Sequence, residues 1–238
     1  MISQAERTEL FKYDEAGTYK EIENLSKSDL IQRGINNLDR LEGFADRQFS
    51  GLVKRFVWFA KWCSDADKLC QVFILWKLHK KPKDNGLESR LIAPNINYFT
   101  ADVSTFLHYQ LAPAVFSHPY VLSDSLSFCR VIELVNNAKL DWNNINVVTA
   151  DVVALYPSID IQDGLIALRW FLDDSTKFSP VLKLFIMELA KFVLENNFVE
   201  AKDIGSGIFQ QVIGVPMGTS FSVVFHDLVG RAYHRSLQ

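Results

Sequence analysis

Asp151 stands at the end of an apolar run rich in β-branched residues. The stretch from Asn146 to Asp160 reads N-V-V-T-A-D-V-V-A-L-Y-P-S-I-D. β-branched side chains pack well on a pleated surface, so Val147, Val148 and Thr149 predict a short buried strand. A carboxylate at the tip of a buried strand is costly unless a cation or a hydrogen-bond donor meets it. Asp151 is therefore a candidate metal ligand. Its plainer reading is a helix or turn cap, the commoner role of Asp at such a place.

Two other stretches carry chemistry. Leu75 to Pro82 reads L-W-K-L-H-K-K-P, and Ser89 to Pro94 reads S-R-L-I-A-P. Asp84-Asn85-Gly86 between them is a turn signal, so the flanks predict a β-hairpin. Such a hairpin brings Lys77, Lys80 or Lys81 near Arg90, a cluster suited to a polyanion such as a triphosphate. The alternative is a solvated basic loop. The third stretch, Gly214 to Ser222, reads G-V-P-M-G-T-S-F-S and opens a predicted helix. Gly214 and Gly218 allow close backbone approach. Met217 can pack a thioether against a ring but hydrogen-bonds poorly. The plain alternative is a glycine-rich helix start.

In this order the three stretches resemble a reverse transcriptase, an RNA-directed DNA polymerase. The wording is closest to Penelope-like retroelements, with group II intron and telomerase enzymes more distant. The resemblance covers roughly residues 70 to 238. It likens the basic hairpin to the fingers, D-V-V-A-L-Y to the first catalytic palm motif, and G-V-P-M-G-T to the helix-opening motif behind the nucleotide.

The resemblance implies two magnesium ions bridged by Asp151, with the Val152 carbonyl as a further ligand. It places Tyr156 under the sugar, and Lys77, Lys80, Lys81, Arg90, Met217 and Gly218 around the nucleotide. RNA template, DNA primer and dNTP are the implied partners. Two departures stand out. Leu91 replaces the proline of the family's Arg-Pro-Ile step, and Met217 stands where many relatives carry Gln. The paired aspartates of the third palm motif have no counterpart. Phe171-Leu172-Asp173-Asp174 mimics that motif, but it lies at a predicted helix end and before the glycine stretch. One carboxylate cannot easily hold two repelling cations. The expectation is an α+β partial right hand, fingers plus front palm, cut before the third palm motif and thumb and inactive alone. Residues 1–68 form an acidic tail and helical extension; 69–238 form the incomplete fingers and palm.

The elements that must position these residues are mostly helical. Leu30, Ile31, Ile35, Leu38 and Leu41 recur at three- and four-residue steps after a cap at Ser26 or Ser28. A second helix runs from about Ser50 to Cys63. Both read as packing elements, with an RNA-contacting extension as the functional alternative. Thr100 predicts a cap for a helix stopped by Pro113. Ser123 predicts one for a helix burying Leu126, Val131, Leu134 and Val135. A helix follows from Ile161, another from Ser179-Pro180, and a hairpin turns about Gly205-Ser206-Gly207. The last helix starts near Ser220. His108 and His118 lack partners at ligand spacing.

Composition sets the outer bounds. The 238 residues are 48% apolar and 22% charged, with 18 Phe and 5 Trp, so a sizeable aromatic core is expected. The net charge is −3, and Met1 to Asn24 supplies it with six acidic against three basic side chains. The rest is neutral, so any nucleic-acid affinity must come from a local stripe. Cys63, Cys70 and Cys129 are an odd, scattered set. They argue against a disulfide framework and for an intracellular setting, nucleus or cytoplasm. No apolar run reaches membrane-spanning length and no signal pattern opens the chain. Two rival readings remain: a non-catalytic nucleic-acid-binding remnant of the same fold, and a neutral helical interaction protein.

Overall fold

Capping chemistry starts the first long helix. Ser26 Oγ accepts from the Asp29 amide at 3.1 Å, and Asp29 Oδ2 accepts from the Ser26 amide at 3.1 Å. That reciprocal box satisfies two donors that the first turn leaves free. The computed structural model describes residues 17–42, 47–65, 69–79, 88–117, 121–122, 124–138, 140, 146, 148–149, 151–152, 154–200 and 207–236. Helices α1 (Lys27–Glu42) and α2 (Arg47–Asp65) pack together, with Leu30, Ile31, Ile35 and Leu38 facing Val53, Phe56 and Ala60 in the core.

The strands form two small sheets, so the architecture is mixed α and β. Strand β1 (Tyr19–Glu21) pairs antiparallel with β6 (Ile208–Gln211), which pairs antiparallel with β5 (Phe198–Glu200). Strand β2 (Cys70–Gln71) closes this four-stranded sheet, parallel to β5. The second sheet is the expected basic hairpin: β3 (Phe73–Trp76) pairs antiparallel with β4 (Ser89–Ile92), Leu75 opposite Arg90. Its tip, with Lys80, Lys81 and the Asp84-Asn85-Gly86 turn, lies outside the described residues.

Helix α3 (Ala101–Val115) packs against α7 (Pro180–Glu195) and α8 (Ser220–Ser236), and α8 also packs on α6 (Ile161–Asp174). Asp160 caps α6 by accepting from the Gln162 and Asp163 amides, and Ser179 caps α7 with Pro180 in its first turn. Phe221 and Phe225 of α8 are fully buried and tilt against each other at 5.1 Å. Asp173 and Asp174 are exposed at the end of α6.

Several expectations are corrected. Tyr19 to Glu21, read as tail or loose helix, is a strand, and Tyr19 is buried. Thr100 does not cap α3; its hydroxyl meets Asn95 Oδ1 at 3.4 Å instead. Pro113 falls within the last turn of α3 rather than before its end. Asp124, not Ser123, caps α4 (Ser125–Asn137), accepting from the Ser127 amide at 2.7 Å. Helix α4 buries nothing: Leu126 and Leu134 are 61% and 71% exposed. Amphipathic spacing reveals an apolar stripe, not what covers it.

The thiols of Cys63 and Cys70 are buried. Cys70 Sγ donates to the Pro94 carbonyl at 2.9 Å. Burial pushes the Cys70 thiol up from 9.0 to about 12. Burial also pushes the Tyr98 hydroxyl well above its ordinary value, with Cys70's charge adding and the Phe198 amide opposing. Each group holds its proton more tightly folded than unfolded. Their stabilisation is complete below the unfolded pKa and is lost as pH climbs through the folded one. The expected result is a urea midpoint that falls as pH rises above about 9, with Cys70→Ala flattening the fall. A midpoint series across that range, wild type against variant, checks it.

Candidate functional site

Two glycines let three distant segments touch. The Gly214 amide donates to the Ile159 carbonyl at 2.8 Å, and the Val215 amide to the Tyr156 carbonyl at 2.8 Å. On the other side, the Ala93 amide donates to the Met217 carbonyl at 2.8 Å and the Asn95 amide to the Gly218 carbonyl at 3.3 Å. The glycine stretch is thus clamped between the end of the basic hairpin and the segment after Asp151. Gly214 has φ +84, and a Cβ there would lie 2.6 Å from Pro157 Cα. Gly218 has φ +133, and its Cβ would lie 2.5 Å from the Ala93 oxygen. Both positions demand glycine on conformation and on space.

Helix α8 opens from this clamp. Thr219 Oγ1 accepts from the Ser222 amide at 3.3 Å and lies 2.6 Å from Ser222 Oγ, which donates to the Pro216 carbonyl at 2.6 Å. Ser104 of α3 accepts from the Phe221 amide at 3.0 Å, and His108 Nδ1 lies 3.0 Å from the Ser220 oxygen. His108 therefore ties two helices together. His118 lies outside the described residues.

Tyr156 sits in the short helix α5 (Leu155–Ser158), which follows Ala154 in a left-handed conformation with φ 53. Pro157 and Ser158 thus complete one helical turn. The half-buried Tyr156 ring stacks on His226 of α8, centroids 4.8 Å apart and planes 9° apart. His226 Nδ1 lies 3.0 Å from Asp227 Oδ1. Burial raises the Tyr156 hydroxyl's pKa, Asp227's charge adds to it, and Arg90 opposes both. Arg90, Tyr156, His226 and Asp227 therefore share one neighbourhood.

Sequence reasoning missed His226, Asp227 and Ser104. Thr219, Ser222 and His226 recur at steps of three and four, which is the signal that could have found the histidine.

The remaining candidates are placed unevenly. Arg90 is exposed on β4, Met217 is half-buried with its carbonyl used by Ala93, and Gly218 is exposed. Lys77 is half-buried and bound to Glu88, Nζ to Oε2 at 3.2 Å, with its amide donating to the Glu88 carbonyl at 2.9 Å. Asp151 and Val152 are exposed in irregular backbone, and Val148 is 83% exposed. The expected buried strand does not form over the described residues of 146–152. Strand propensity needs a neighbouring ladder to satisfy the backbone, and no described strand pairs with this segment.

Asp151 makes no hydrogen bond or ion pair among the described residues, where no group of three or more His, Cys, Asp or Glu could hold a metal. This donor set does not compose a two-ion site. Comparison with protein-family models, curated proteins and solved structures finds no match.

The clamp predicts a sharp mutational signature. Gly218→Ala forces a side chain into the Ala93 carbonyl at a left-handed φ, and destabilisation of about 2–3 kcal/mol is expected. Chemical denaturation checks this, with Gly230→Ala as the control, since nothing lies within 4 Å of a Cβ there.

Proposed function

We propose that the chain is the fingers and front palm of an RNA-directed DNA polymerase, and that its junction is a nucleotide-binding cleft. The backbone clamp joining the hairpin end, the Tyr156 turn and the mouth of α8 is the observation that supports this reading. It gathers segments that the resemblance assigns to one pocket, from residues as far apart as 93 and 217. Arg90 would pair with the triphosphate as a planar, multi-donor cation. Tyr156, its ring held flat by His226, would lie beneath the sugar and disfavour a 2′-hydroxyl. RNA template and DNA primer would be the partners.

The proposed role of this chain is binding. Phosphoryl transfer in that class runs on two hard cations, and Asp151 alone does not furnish their ligands. Asp151, exposed and without a hydrogen bond or ion pair among the described residues, favours a second reading, a nucleic-acid-binding remnant without catalysis. Primer extension on an RNA template, with magnesium and dNTPs, is expected to yield no product from the purified chain. Robust extension would overturn that expectation.

Calorimetric titration separates the nucleotide pocket from a general polyanion surface. Arg90→Gln is expected to weaken dNTP binding by about tenfold, in line with one charged hydrogen-bonding group. Tyr156→Ala is expected to narrow the gap between dNTP and rNTP affinities. Wild type with no measurable dNTP affinity would remove the pocket reading.

A further inference from the structure

His226 is held on two sides and open on a third. One face of its ring stacks on Tyr156, centroids 4.8 Å apart and planes 9° apart. Its Nδ1 lies 3.0 Å from Asp227 Oδ1. A carboxylate only accepts, so Nδ1 carries the hydrogen of that pair. The other ring nitrogen, Nε2, makes no hydrogen bond among the described residues, and the side chain keeps 28% of its surface exposed. An imidazole fixed by a carboxylate at Nδ1 and free at Nε2 is arranged to offer its second nitrogen to a ligand. Bracing Tyr156 calls for a flat ring and uses neither nitrogen.

A metal ion is one taker of such a nitrogen, but it requires further donors. Among the described residues no group of three or more His, Cys, Asp or Glu could hold one. An anion is the other taker. Protonated at both nitrogens, the ring is a cation and Nε2–H is a donor. A second cation stands close by. Burial and then Asp227's charge raise the Tyr156 hydroxyl's pKa, and Arg90's charge lowers it. The tyrosine that touches His226 is therefore also within reach of Arg90.

We propose that His226 is a second phosphate ligand of the cleft, controlled by its proton, beside the permanent charge of Arg90. Binding of a triphosphate then tightens as pH falls through the histidine range. This deepens, and rests on, the reading of the junction as a nucleotide cleft. Histidine changes its charge between about pH 5 and 8, whereas arginine stays charged throughout. The groups around the ring are few. Helix α8 supplies Asp227, α5 supplies Tyr156, and β4 supplies Arg90. Helix α6 turns Gly164 toward the neighbouring Phe225, and α3 sends Ser104 and His108 to the start of α8. Arg231, further along α8, lies over the Phe171 ring. A phosphate bound beside His226 favours the imidazolium, so ligand binding and proton uptake reinforce each other.

Calorimetric titration with inorganic triphosphate and with a dNTP, without divalent cations, tests this between about pH 5.5 and 8. Wild type is expected to bind about tenfold more tightly at the acid end, in line with one added charged hydrogen bond. His226→Phe keeps a ring for Tyr156 to stack on but takes up no proton. It is expected to match wild type at the alkaline end and to lose that gain at the acid end. Both proteins meet the same ligand, so the ligand's own titration cancels. Arg90→Gln is expected to weaken binding at every pH and to keep the gain. The Cε1 proton resonance of His226 in wild type gives a measure that needs no variant: its titration midpoint is expected to rise when triphosphate is added. A midpoint that stays put overturns the proposal. So does a His226→Phe profile identical to wild type, which leaves His226 as a brace for Tyr156 and the cleft intact. Wild type that binds neither probe at any pH removes the cleft and this proposal together.

Discussion

The structure depends on two places where backbone meets backbone with no room for a side chain. At Gly214 and Gly218 the chain passes within a Cβ's distance of Pro157 and Ala93. Each approach is sealed by amide-to-carbonyl bonds. Hydrogen bonds of this kind contribute about 1 kcal/mol each, but leaving such groups buried and unpaired costs more. The four bonds therefore act mainly as a constraint on geometry. They fix where α8 begins, and through Ser104 and His108 they fix α3 against it.

Much of this was legible in the sequence, for identifiable reasons. Ser26 or Ser28 and Ser179-Pro180 announce helix starts because capping is local chemistry within four residues. The basic hairpin was readable because its two runs flank a turn signal. The glycine stretch was readable as a close approach, since glycine at a helix mouth has few other uses. What it approaches was not readable, because Ala93 and Pro157 lie far away in the chain. Tyr19 illustrates the same limit. Its three-residue strand exists only because Ile208–Gln211 offers an edge.

The failures share a cause. Val147 to Val153 has strand composition but lacks a described ladder partner, and α4 has a clean apolar stripe of which no residue is buried. Pattern specifies which side of an element is apolar. It does not supply the surface that side requires. Lys77 shows the electrostatic version of the problem. Its spacing suggested a phosphate contact, yet Glu88 across the hairpin takes up its charge. Arg90 is exposed on β4, and its charge opposes the rise of the Tyr156 hydroxyl's pKa.

Asp151 and the clamp stand in an instructive relation. Five residues separate Asp151 from Tyr156, and an extended chain covers at most about 3.6 Å per residue. Asp151 therefore cannot stray more than about 18 Å from the pinned turn, whatever its backbone does. Ala154 shortens that reach further, since its left-handed conformation bends the chain just before α5. The acid is tethered to the clamp, and among the described residues no hydrogen bond or ion pair holds it. Tyr156 is anchored: its ring stacks on His226 of α8 and its carbonyl accepts from the Val215 amide. Asp151 and Val152 are exposed and irregular, while the turn after Ala154 is fixed by backbone bonds and a stacked aromatic pair.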